Sequence, residues 1–208
     1  MDLALKAKVE EIIAQRPRKH VRVSDVLAVI DKESGGVPIF RGTEILFKQN
    51  LQAASNITHL TTDQIRQAMT IQDGPYKGMI SKFRCEPGYW LWAKRYANAI
   101  KKPEDLILLS CSFGLGQQMS RWLVTGTPVH EWAATVRKFM GSVSLQIAYC
   151  VGNIDSLLVQ SNGNRALAFT RYNAGGSATE KNPAYKTYGL VVEAKAKRFE
   201  EELKNEPV

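Results

Sequence analysis

The chain has 208 residues, 44% of them hydrophobic and 23% charged, enough to bury the core of one domain or of a domain with a small lobe. No apolar run approaches a membrane span, and the formal charge of +8 suits a polyanion: nucleic acid, anionic lipid such as lipopolysaccharide, or an acidic cell-wall polymer. The three cysteines have no metal spacing and give no disulfide framework, the three histidines form no H-x-x-x-H pair, and there is no G-x-x-x-x-G-K-[ST] loop, so neither a metal nor another cofactor is expected.

The N-terminal stretch MDLALKAKVEEIIAQRPRKH reads as an amphipathic helix, with Leu5, Val9, Ile12 and Ile13 on one face. Acidic residues interrupt it and no apolar core leads to a small-residue cleavage site, so it does not read as a signal peptide. A basic connector from Arg16 to Arg22, containing Pro17, follows.

Val23–Gly36 is the stretch around which the rest is organised. Ser24 is the expected N-cap, and Asp25 sits in the first turn, where a negative charge suits the helix dipole. Val26, Val29, Ile30 and Glu33 share one face, at spacings of three, four and seven. Gly35 and Gly36 end the helix. A carboxyl pressed against that apolar face has its pKa raised by desolvation, as a general acid near neutral pH requires. The alternative is that Glu33 merely reaches solvent at the helix end.

Further on, Val37–Phe40 and Glu44–Phe47 suggest a small hairpin or extended flap beside Glu33. Asn56–Thr62 reads as a turn, Thr62 as the cap of a helix over Asp63–Ile71, and Asp73–Gly78 as a turn cluster. Pro87 opens an aromatic helix, PGYWLWAKRYANAI. Tyr89, Trp92 and Tyr96 share one face, and Lys82, Arg84, Lys94 and Arg95 lie close in sequence. Its aromatics are core residues or a surface for stacking on sugars or bases. Pro103 opens a helix whose Leu106–Leu109 run is deeply buried, followed by a tight turn in SCSFGLGQQM. Cys111 and Cys150 read as packing residues.

Thr127-Pro128 starts the next helix, Ser142 caps another over Val143–Val151, and Gly152-Asn153 breaks the chain before Ile154–Val159. Asn164 precedes a helix ending in RYNAGG, and Pro183 opens the last one, with Tyr185, Tyr188, Val192, Phe199 and Leu203 near one stripe. Past Phe199, four glutamates against Lys204 give a net of −3, which leaves the remainder at +11. The whole predicts a mainly α fold: one domain over 1–208, about eight helices, with 1–22 as an N-terminal helix and connector.

Three stretches stand out: DKESGG (31–36), SFGLGQQM (112–119) and RYNAGG (171–176). Glu33-Ser34-Gly35, Gly114-Leu115-Gly116-Gln117 and Tyr172-Asn173-Ala174-Gly175 resemble, in order, the E-S-G, G-L-x-Q and Y-N-A-G motifs of lysozyme-like lytic transglycosylases and goose-type lysozymes. Gly116 departs from the Met often found there. ESGGVPIFRGTEILFKQN also looks like the ESGG…ILFERH region of phage muramidase endolysins, and the resemblance spans roughly residues 23 to 200.

The resemblance implies cleavage of the β-1,4 bond between N-acetylmuramic acid and N-acetylglucosamine in peptidoglycan. Glu33 is then the general acid, later the base that closes a 1,6-anhydro ring, while Ser34, Gln117, Tyr172 and Asn173 bind substrate. Read singly, Gln117 caps a turn, Tyr172 is core and Asn173 is a left-handed helix cap. A hydrolytic muramidase needs a positioned water and a second acid. Asp31 faces away from Glu33, which leaves Glu44 and Asp73 as candidates. Readings of another class are a nucleic-acid-binding module and a non-catalytic virion or secretion-apparatus protein. A chain without a leader that acts on the wall fits a phage lysis enzyme or a virion-carried one.

Overall fold

The computed structural model describes residues 2–15, 20–40 and 45–205. Among these the chain is mainly helical, with eleven α-helices and a three-stranded antiparallel sheet. In chain order they are α1 (Leu3–Gln15), α2 (Val23–Ser34), α3 (Ile45–Thr58), α4 (Thr62–Met69), β1 (Phe83–Cys85), α5 (Pro87–Lys94), α6 (Pro103–Leu109), β2 (Cys111–Phe113), β3 (Gln118–Met119), α7 (Ser120–Leu123), α8 (Trp132–Gly141), α9 (Val143–Gln160), α10 (Arg165–Ala174) and α11 (Leu190–Lys204). A 3-10 turn, Val129–Glu131, precedes α8, and a π-helical turn, Tyr185–Gly189, runs into α11.

The helix count exceeds the expected eight, and the boundaries show why. Ile45–Thr58 is one helix in place of an extended piece and a polar turn, because Phe47, Leu51, Ala54 and Thr58 bury one face at helical spacing. Val37–Phe40 is non-helical, with Ile39 making a single bridge to Ser81, and it forms no hairpin with Ile45–Phe47, which is helical; Arg41–Glu44 of the expected hairpin or flap lies outside the described residues, as do Arg16–Lys19 of the connector. The sheet forms instead around the Gly114 turn, in the order β1-β2-β3. Helix α9 runs unbroken through Gly152-Asn153. Ser142 does cap it, accepting from the Leu145 N–H at 3.2 Å, and Asn164 caps α10, accepting from Leu167 N–H at 3.0 Å.

The described residues gather into two compact units. One comprises the chain up to Gly36 and from Ile147 onward; the other is Val37–Gln146. In the first, α2 packs on α11, and α10 on the π-helical turn. Gly189 allows that second approach: a Cβ there would stand 2.2 Å from Thr170 Oγ1 and 2.4 Å from the Ala166 carbonyl oxygen. The core of the second unit is built on Phe47, Phe83, Phe113, Phe139 and the Leu106–Leu109 run, with Phe40 set edge-on to Phe83 at 5.9 Å. Proline opens α5 and α6, where its missing N–H costs no helical bond.

Candidate active site

In the first unit, Val26, Val29 and Ile30 are fully buried and Glu33, one turn on, is half-buried. Gly35, at φ 63°, closes α2 by donating its N–H to the Asp31 carbonyl at 3.0 Å. The start of the helix differs from expectation. Arg22 is the N-cap and Ser24 is buried inside the first turn. Asp25 accepts from the Arg22 N–H at 2.9 Å and from Arg165 Nε at 3.0 Å. Burial pushes the Asp25 carboxyl above its ordinary range, against the pull of those two donors. Ion pairs from Arg22 to Glu200 and from Lys195 to Asp31 tie the same helix to α11.

The carboxylate of Glu33 receives a hydrogen bond from the Tyr188 hydroxyl. Tyr188 belongs to the π-helical turn and is 6% exposed. Its phenol is pushed well up, first by burial and then by the negative charge of Glu33. Tyr172, on α10, sets its hydroxyl 3.7 Å from the buried Cys150 thiol of α9. Burial likewise raises the Tyr172 phenol, with Cys150, Tyr188 and Glu33 adding to the effect, and it lifts the Cys150 thiol to about 12. A carboxyl, two phenols and a thiol thus form one electrostatically linked cluster. At neutral pH its phenols and thiol stay protonated.

No protein-family model, curated protein or solved structure matches this chain.

The other expected site residues take varied positions. Ser34 is buried and donates its hydroxyl back to the Ile30 carbonyl at 3.0 Å. Asn173 lies exposed in the last turn of α10, and the non-helical backbone falls at Gly175, φ 98°. Arg171, the first residue of the third motif, pins the loop beyond that turn: it donates to the carbonyls of Ala178 at 3.1 Å and Gln160 at 2.7 Å.

Gln117 belongs to the second unit, at φ 47° in the turn between β2 and β3. Its amide donates to the Gly114 carbonyl at 3.0 Å and accepts from Ser112 Oγ at 3.1 Å. Gln146 holds the turn from beneath, accepting from the Leu115 N–H at 2.9 Å and donating to the carbonyls of Phe139 and Met140 at 3.2 and 3.0 Å. Gly114 must lack a side chain, since it sits at φ +75° and a Cβ would meet Gln146 Oε1 at 2.4 Å. Asp73 is exposed in its turn, and Glu44 lies outside the described residues.

Two residues escaped the sequence reading. Tyr188 was visible only as one member of an apolar stripe, and its sequence distance from Glu33 hides the pairing. Gln146 carried a weak signal: a lone amide on an otherwise apolar stretch of helix, the kind of group that is buried only when its hydrogen bonds are met.

Proposed function

We propose that the chain is a peptidoglycan-cleaving lytic transglycosylase of lysozyme-like fold, with Glu33 as its general acid and base. The observation that carries the reading is a half-buried carboxyl at the end of α2 held by the Tyr188 hydroxyl and close enough to a second phenol, the half-buried Tyr172, for its charge to raise that phenol's pKa. Tyr172 and Glu33 each come from one of the three motifs that resemble that family. In the reaction, Glu33 gives its proton to the leaving glycosidic oxygen as the bond to muramic C1 breaks. The substrate's acetamido group stabilises the sugar cation. Glu33 then takes the proton of the C6 hydroxyl as O6 bonds to C1, so no water enters and the carboxyl ends protonated again.

Charge and aromatic surface support a glycan substrate bearing carboxylates. Trp122 is 62% exposed, and the Arg121 guanidinium lies 5.5 Å from its ring centre and 5.9 Å from that of Trp92, which stacks on Trp132. An indole with a cation over it offers a pyranose a flat apolar face and a carboxylate a donor.

Mass spectrometry of digested sacculi tests the reading. The expected muropeptides end in 1,6-anhydromuramic acid, and a Glu33→Gln variant yields none. Reducing ends alone would establish a hydrolytic muramidase instead, and undigested sacculi with the intact chain would remove the enzymatic reading.

A further inference from the structure

The second unit holds two of the three cysteines in a relationship that the sequence conceals, being 26 positions apart. Strands β1 and β2 run antiparallel, with Phe83 opposite Phe113, Arg84 opposite Ser112 and Cys85 opposite Cys111. The backbone hydrogen bonds say what kind of pair each is. The Glu86 N–H donates to the Ser110 carbonyl at 3.0 Å, and the Gly114 N–H donates to the Lys82 carbonyl at 3.2 Å. Both bonds flank their pairs rather than join them, so 85–111 and 83–113 are the non-hydrogen-bonded pairs of the ladder. In such a pair the Cα atoms lie about 4.5 Å apart and the side chains share one face of the sheet. A disulfide spans Cα separations of roughly 4.4–6.8 Å, so the strands already stand within bridging range.

The side chains agree with the backbone. Ser110 Oγ lies 3.4 Å from Cys85 Sγ and 3.9 Å from Cys111 Sγ, and it donates its own hydrogen to the Ile107 carbonyl at 2.8 Å. Its lone pairs therefore face the two thiols. Cys111 is fully buried, whereas Cys85 is 8% exposed on β1, an edge strand of the sheet. A hydrogen bond from the Cys111 thiol holds Cys85 below the ordinary thiol value, and burial pushes Cys111 up. Cys85, on the edge strand and held toward the thiolate, is thus the better nucleophile, and the fully enclosed Cys111 is placed to resolve it.

We propose that Cys85 and Cys111 form a dithiol modification site, which a small-molecule disulfide oxidises to a covalent bond between β1 and β2. The Cys85 thiolate attacks one sulfur of the small disulfide, giving a mixed disulfide and releasing one thiol. Cys111, giving up its proton, then attacks Cys85 Sγ and displaces the second. Two protein thiols are oxidised, one disulfide is reduced to two small thiols, and the protons leave on them. Cys150 stays outside the exchange, because a thiol at about 12 holds only on the order of one thiolate in ten thousand at pH 8.

The test uses the full chain, incubated with oxidised glutathione at pH 8, acid-quenched, unfolded and alkylated. The expected product is lighter by two hydrogens before alkylation, takes up one alkyl group where the untreated chain takes up three, and yields one cross-linked peptide containing Cys85 and Cys111. Dithiothreitol restores all three thiols, and a Cys150→Ser variant forms the same Cys85–Cys111 cross-link, losing both of its thiols. A Cys111→Ser variant stops at the Cys85–glutathione adduct, which separates attack from resolution. Three remaining thiols, a persistent glutathione adduct on the intact chain, or a bond involving Cys150 would overturn the proposal.

Discussion

Two polar regions of this molecule, the end of α2 and the turn between β2 and β3, were equally prominent as motifs, yet their hydrogen bonds are organised differently. At Glu33 the carboxyl meets a side chain, Tyr188, 155 positions away. In the turn, Gln117 bonds to Gly114 and Ser112, a few residues away, and Gln146 meets only backbone groups. A side chain satisfied by its own turn shapes the chain, and contact with a sugar would require it to give up one of those bonds. A carboxyl held by a phenol from a distant turn is fixed by tertiary structure instead. Motif membership alone does not separate the two arrangements; the sequence distance of their hydrogen-bond partners does.

That contrast can be broken most sharply by paired substitutions read in wall lysis. Glu33→Gln is expected to lower turbidity clearance at least ~100-fold, the scale of lost acid–base catalysis, while the variant stays folded. Gln117→Ala should reduce it far less. Equal losses would erase the distinction between a chemical and a scaffolding motif. Stability should show the converse order. Gln146→Ala removes the partner of the buried Leu115 N–H and the amide donor to the Met140 carbonyl, while the Phe139 carbonyl keeps the Ser142 N–H; it is expected to cost about 2 kcal/mol in urea unfolding, against about 1 kcal/mol for Gln117→Ala. A Gln146→Ala chain as stable as the parent would show that the turn holds itself.

The phenols sharpen the comparison through pH. Tyr172 and Tyr188 are raised from the ordinary value of 10.0, both mainly by burial. Above pH 10 the folded chain therefore holds protons that the unfolded chain has lost. Their contribution to stability is complete below that pH and declines as pH rises further. In an absorbance titration, two of the seven tyrosines should ionise only as the chain unfolds, and Tyr188→Phe should leave one. Reversible ionisation of all seven in the folded protein would contradict this. The smallest effect expected is ionic. Sedimentation with sacculi should weaken steadily between low and high salt, since a net charge of +8 acts over a Debye length of about 10 Å at 0.1 M. Salt-independent binding would place the affinity in the aromatic surface alone.

Local chemistry was legible where its partners were local. Apolar spacing set α2 and its glycine stop, prolines marked the starts of α5 and α6, Ser142 was readable as a cap, and Asn164 as the residue before a helix, because each bonds three residues ahead. Thr61 showed the limit: it caps α4 through a capping box with Gln64, one residue before the expected Thr62, because two adjacent threonines offer the same hydroxyl. What could not be read depended on distant residues. Asp25 sits in the first turn of α2 as expected, where it accepts from the Arg22 N–H; what could not be read is that it is also buried and paired with Arg165. The Cys85–Cys111 register follows from a sheet whose strands are too short, at two and three residues, to show alternation.

The π-helical turn at Tyr185–Gly189 acts as a phase shifter. A π turn carries one residue more than the α-helix it interrupts. Tyr188 lies in this turn and reaches Glu33, while Lys195 lies beyond it and reaches Asp31; both acids sit on α2. Removing one residue from the turn would return it to α geometry and rotate the chain ahead of the cut by about 100° against the chain behind it. One pairing with α2 could then be kept only by losing the other. Single-residue deletions between 185 and 189 should therefore be far more damaging than side-chain replacements at the same positions, which makes backbone length there a constraint in its own right.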